Sequence, residues 1–106
     1  MFLELSSLLR IENIFEDSIN IMICDDERII ASSIDKLILK AYKKLPNIIS
    51  NNVITKNGLE CIYRLYTDFL KGIKYNLILI DENMPFLTGS DAIKVIAKMA
   101  CFHLLV

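Results

Sequence analysis

Three aspartates in this chain stand where an apolar run gives way to a helical pattern. Asp81 follows Leu77–Ile80 within residues 75–89, which read YNLILIDENMPFLTG. Asp25 and Asp26 follow a similar run within residues 21–27, which read IMICDDE. A single Asp after a strand usually bonds its own backbone or caps the next helix. One Asp would suffice for that at each place, yet Asp25 and Asp26 stand side by side and repel unless something positive lies opposite. Three carboxylates in one small pocket raise each other's proton affinity unless a cation compensates. Oxygen-only ligands of this kind favour a hard divalent ion, Mg²⁺ above all.

The elements that must bring these acids together can be read from the same runs. Leu77–Ile80 is short and wholly apolar, which suits a strand buried on both faces of a parallel sheet. Parallel strands point their carboxyl ends to one edge, so Asp25, Asp26 and Asp81 can converge there, where open α/β sheets bind ligands. Met84-Pro85 then forces a turn, and Gly89 releases the chain into a new helix.

After the first strand, Ile30, Ile34, Leu37, Ile38, Ala41 and Leu45 form one apolar stripe at helical spacing, closed by Pro46. Within residues 47–55, Val53-Ile54 is the better strand and Ile48-Ile49 reads as loop. Asn57-Gly58 signals a turn. A second helix runs to about Lys71, with Leu59, Ile62, Tyr63, Tyr66, Phe69 and Leu70 as its buried stripe and Gly72 as its stop. A third begins near Ser90-Asp91 and presents Ala92, Ile93, Ile96 and Met99 to the sheet. The order is strand, helix, strand, helix, strand, helix, with right-handed crossovers expected. Residues 101–106 are apolar enough to begin a fourth strand. Residues 1–18 form an extension, with Leu5, Leu8, Ile11 and Phe15 at the spacing of a short leading helix.

Composition confines the remaining possibilities. At 106 residues the chain has room for one core. Its net charge of −1, with no basic stripe, gives no electrostatic case for nucleic acid or an anionic membrane surface. No apolar stretch approaches the ~18 residues of a transmembrane helix. Glu4 and Arg10 spoil a secretory signal, so a cytoplasmic location is expected. Cys24, Cys61 and Cys101 are odd in number and lack a C-x-x-C pairing, and His103 is the only histidine, so zinc is not indicated and the thiols read as inert.

Taken together, Asp25-Asp26 after one strand, Asp81 after another, and then Asn83-Met84-Pro85 and Gly89 resemble the receiver domain of two-component response regulators. Residues 53–60, VITKNGLE, resemble that family's second strand and second-helix start. The likeness covers roughly residues 20–99, and its spelling is similar to receivers attached to hybrid histidine kinases. The resemblance implies an α/β, flavodoxin-like, doubly wound parallel sheet in residues 19–106. The full family fold has five strand–helix units in sheet order 2-1-3-4-5, of which this chain supplies three and part of a fourth strand.

The implied function is a phosphoacceptor in a phosphorelay. Asp81 takes a phosphoryl group from a phosphohistidine on a histidine kinase or histidine phosphotransfer domain. Asp25, Asp26, Asp81 and the backbone carbonyl of Asn83 hold Mg²⁺. The protein is then a signalling domain rather than an enzyme. Glu82 reads as facing solvent, with a role in the pocket as the alternative, and Thr88, which replaces an acid often found before the glycine, is expected to matter little. The family's Ser or Thr after the fourth strand and Lys after the fifth have no counterpart here. That gap implies impaired transfer, or alternatively a receiver-like interaction module or fragment that carries no phosphate. A metal-dependent phosphohydrolase is the remote alternative, since such enzymes need an acid where Asn83 stands. The short end also implies an uncovered edge at the third or fourth strand, which invites pairing with another chain.

Overall fold

Alternating apolar runs and amphipathic segments fold this chain into layers of helix and sheet. A computed structural model describes residues 2–4, 18–45 and 47–104. In chain order the elements are β1 (Phe2–Glu4), β2 (Ser18–Cys24), α1 (Arg28–Tyr42), β3 (Ile49–Thr55), α2 (Gly58–Leu70), β4 (Leu77–Ile80) and α3 (Gly89–Leu104). The sheet order is β1-β4-β2-β3. β2 pairs in parallel with both β3 and β4, Ile23 lying opposite Ile54 on one side and Leu79 on the other. The three parallel strands and three helices expected from the sequence are therefore present.

β2 is central, and both of its faces are covered, which is why its second half is uninterruptedly apolar. Met22 and Cys24 join Ile78 and Ile80 of β4, Cys61 and Leu65 of α2, and Ala92 and Ile96 of α3 in one cluster. Ile21 and Ile23 join Ala31 of α1 in the other, with Ile34, Ile38 and Tyr42 packed against them. Cys24 and Cys61 are free and buried within the first cluster, and the Cys24 thiol donates to the carbonyl of Asn57 at 3.2 Å. The hydrogen bond with Cys24, reinforced by burial, pushes the Cys61 thiol up. The same bond lowers the Cys24 thiol against the opposing effect of burial, and the side chain of Cys101 lies outside the described residues.

Three features differ from the sequence reading at the chain's ends. Phe2–Glu4 forms a strand antiparallel to β4, with Phe2 opposite Leu79 and Glu4 opposite Leu77. The edge expected to stand uncovered beside the third parallel strand is thus occupied by β1. The leading helix expected over Leu5, Leu8, Ile11 and Phe15 lies outside the described residues. Residues 101–104 continue α3 instead of starting a fourth strand. No glycine or proline stands between Gly89 and Leu104 to stop the helix, so apolar content at its end does not signal a change of period. Residues 105–106 lie outside the described part.

The helices also differ in which face they bury. On α2 the expected stripe of Leu59, Ile62, Tyr63, Tyr66, Phe69 and Leu70 is rotated by one residue. The buried positions are Gly58, Cys61, Leu65 and Asp68, while Tyr63 is 70% exposed and Leu70 66% exposed. Close packing at the helix start contributes to this choice. A Cβ on Gly58 would lie 3.1 Å from Leu87 Cδ2 and 3.3 Å from Ala92 Cβ, so the helix start packs where only glycine fits well. On α1, Ala31 is the buried residue, whereas Ile30, Leu37, Ala41 and Leu45 of the expected stripe are exposed. That helix ends at Tyr42, before Pro46. β3 begins at Ile49, because pairing with β2 draws Ser50, Asn51 and Asn52 into the ladder despite their low strand propensity. On α3 the expected Ala92, Ile93 and Ile96 do face the core.

Local signals at the helix ends hold closely. Asn57 caps α2 by accepting the Glu60 amide at 2.8 Å. The Glu60 carboxylate accepts from the Lys56 amide at 3.4 Å, which makes a variant of the capping box. Gly72, with φ at +84°, ends α2 in a Schellman motif. Its amide donates to Phe69 O and that of Ile73 to Asp68 O, both at 2.9 Å.

Candidate functional site

Both acidic segments are held by continuation of the sheet. The Asp25 amide donates to Thr55 O of β3 at 3.1 Å, and the Asp81 amide donates to Cys24 O of β2 at 3.0 Å. Each backbone bond extends the parallel ladder one step beyond the strand, so the three strands set the acids at one edge. One carboxylate oxygen from each of Asp25, Asp26 and Asp81 lies within 4.8 Å of the others. Asp25 is buried, Asp81 half-buried and Asp26 exposed, so the group opens to solvent on one side.

The donor set suits a hard cation. An octahedral Mg²⁺ with oxygens at about 2.1 Å places neighbouring ligands about 3 Å apart and opposite ones about 4 Å apart. Oxygens within 4.8 Å of one another are close to that spacing. Asp25, Asp26 and Asp81 could therefore hold a metal ion together. Asp25 also serves its own backbone, since its Oδ1 accepts the Glu27 amide at 2.9 Å. That bond orients the carboxylate and leaves its other oxygen uncommitted to it. Asn83 is exposed in the loop after Asp81.

The loop between β4 and α3 closes tightly over Asp81. A Cβ at Gly89 would lie 2.5 Å from the Asp81 carbonyl oxygen and 3.0 Å from Glu82 Cα. The Gly89 amide donates to Glu82 O at 3.1 Å, which draws the start of α3 against the end of β4. Between them, the Leu87 amide donates to Pro85 O at 2.8 Å. Phe86, the residue enclosed by that bond, takes φ +71° and leaves its ring exposed, a strained three-residue turn.

Two residues of little expected weight build this loop. Thr88 starts α3: its carbonyl accepts the Ala92 amide at 2.9 Å and its Oγ1 accepts the Asp91 amide at 3.2 Å. Glu82 does not simply face solvent, since Oε1 accepts the Ser90 amide at 3.0 Å and Oε2 accepts the Ser90 hydroxyl. The signal was present as an acid eight residues before a serine, but such a separation has no local rule to expose it.

The bonds from Ser90 favour the ionised form of Glu82 and hold its carboxyl below the ordinary 4.5. Because the folded value is depressed, the stabilisation is complete above 4.5 and is lost as pH falls through the folded value. A ¹³C titration of the Glu82 carboxyl is expected to give a midpoint below 4.5. Ser90→Ala should return it toward that ordinary value, and an identical midpoint in both proteins would show that these bonds do not persist in solution.

Among the described residues no helix is long and apolar enough to cross a membrane. Comparison of the chain with protein-family models, with curated proteins and with solved structures returned no match.

Proposed function

We propose that this chain is a receiver domain of a two-component phosphorelay, in which Asp81 accepts the phosphoryl group of a phosphohistidine. The supporting observation is the convergence of Asp25, Asp26 and Asp81 from the ends of two adjacent parallel strands. The order β4-β2-β3 corresponds, read the other way, to the 2-1-3 portion of the flavodoxin-like order. Asp81 follows the strand next to β2, at the edge where that order puts its ligand crevice.

In this reading one Asp81 carboxylate oxygen attacks phosphorus as the P–N bond to imidazole breaks. The imidazole leaves with that electron pair, and an acyl phosphate forms on Asp81. Asp25, Asp26 and Asp81, with the Asn83 carbonyl, would hold Mg²⁺, which would supply positive charge beside the phosphoryl oxygens. The protein's own contribution is positioning, because phosphoryl transfer asks little covalent chemistry of it. The donor is a histidine kinase or histidine phosphotransfer domain, which would place the protein in the cytoplasm.

Incubation with Mg²⁺ and acetyl phosphate is expected to give an acid-stable, base-labile adduct mapped to Asp81. Asp81→Asn should remove it, and Asp26→Asn should reduce it by weakening metal binding. Mg²⁺ alone should stabilise the parent by about 2.7 kcal/mol at a hundredfold excess over its Kd, and Asp26→Asn by much less. Absence of any adduct across donor concentrations, with Mg²⁺ stabilisation intact, would leave a metal-binding module that does not carry phosphate. Steady hydrolysis of phosphomonoesters would point instead to a phosphohydrolase.

A further inference from the structure

We propose that Phe2–Glu4 is a displaceable seal on the edge of β4, and that the slot it fills accepts β4 of a second copy of this chain when the seal opens. β4 consists of Leu77, Ile78, Leu79 and Ile80, with no charge, glycine or proline. Such a strand, left open at a sheet edge, presents unpaired amides and carbonyls to any extended chain. Among the described residues β1 covers that edge over three positions, with Leu3 opposite Ile78. Very short edge strands blunt an edge, and their few backbone bonds make opening cheap relative to the core.

A second copy fits the slot for two reasons. β1 pairs antiparallel, which shows that this edge accommodates a strand of that sense. Two copies of β4 related by a twofold axis would also meet antiparallel, giving a self-complementary contact. A net charge of −1 provides almost no repulsion between copies. The opposite edge, β3, offers a poorer template because Ser50, Asn51 and Asn52 interrupt its apolar character. This inference does not depend on the phosphoacceptor reading.

Consecutive strand residues turn their amides to opposite edges. Replacing Leu3 and Glu4 together with proline therefore removes a donor toward β4 whichever way each amide points. The parent is expected to be monomeric by light scattering. The double variant should keep its far-ultraviolet circular dichroism and shift toward a dimer as concentration rises. Hydrogen exchange at Leu77–Ile80 should be slower at high concentration than at low in that variant. A variant that stays monomeric, one that loses the folded spectrum, or a parent that associates equally would each overturn the proposal. So would concentration-dependent protection appearing in Ile49–Thr55 rather than Leu77–Ile80.

Discussion

Gly89→Ala is expected to destabilise the fold by about 2–3 kcal/mol, the upper part of the usual cost of overpacking, and, under the proposed phosphoacceptor role, to lower phosphoryl labelling of Asp81 where β4 gives way. The added methyl group would sit 2.5 Å from the Asp81 carbonyl oxygen, 3.0 Å from its carbonyl carbon and 3.0 Å from Glu82 Cα. All three are backbone atoms, so no side chain can swing aside to make room. Either β4 or the start of α3 must shift. A shift of β4 strains the bond from the Asp81 amide to Cys24 O, which fixes Asp81 relative to Asp25. A shift of α3 weakens the bonds that Glu82 accepts from the Gly89 and Ser90 amides. A metal ion held by these acids would require the carboxylates within a few ångströms of one another, so Mg²⁺ stabilisation should fall with the labelling when β4 moves. Measured together, urea unfolding and Mg²⁺ titration distinguish the routes: loss of both follows movement of β4, and loss of stability alone follows movement of α3. A Gly89→Ala protein with parental stability and parental Mg²⁺ response would show that the loop approaches Asp81 less closely than this.

Asp68→Ala should be the most damaging substitution remote from the acidic site, costing about 3–4 kcal/mol. Asp68 is 3% exposed on the inner face of α2, and its Oδ2 accepts both the Tyr75 hydroxyl at 2.5 Å and Arg64 Nε at 2.9 Å. Removing the carboxylate leaves the buried Tyr75 hydroxyl without that acceptor just before β4 begins. Burial and the adjoining carboxylate already push the Tyr75 hydroxyl up, so it stays protonated and keeps donating throughout the ordinary pH range. The Arg64 side of the network contributes less, because the guanidinium is half exposed and screened by water. Tyr75→Phe in the Asp68→Ala background should cost little further, since the hydroxyl has already lost its partner. A double-mutant cycle in urea measures this coupling. Additive losses would mean that Asp68 and Tyr75 stabilise the fold separately.

These two residues also show where sequence periodicity stops being informative. The strand–helix alternation, the three aspartates at strand ends, the Asn57 cap and the Gly72 stop are local patterns, each confined to a few neighbouring residues. They could be read without knowing what the rest of the chain does. Hydrophobic periodicity likewise indicated that residues 58–70 form a helix, but it selected a face one residue away from the buried one. The difference comes from partners distant in sequence: Asp68 is buried because Tyr75 and Arg64 satisfy it, and Gly58 because Leu87 and Ala92 press against it.

The site divides in the same way. Asp25, Asp26 and Asp81 were identifiable by residue type and position alone, as was the inference that parallel strands carry them to a common edge. Their approach within 4.8 Å, and the closing of the loop by Gly89, Glu82 and Ser90, depended on contacts between segments. So did β1, since three residues at one end of the chain carry no sign of which edge they will join. Local chemistry determined what each segment of this protein could become. Tertiary packing decided which faces and edges would meet, because that choice depends on the shape and unmet hydrogen bonds of segments far away in the chain.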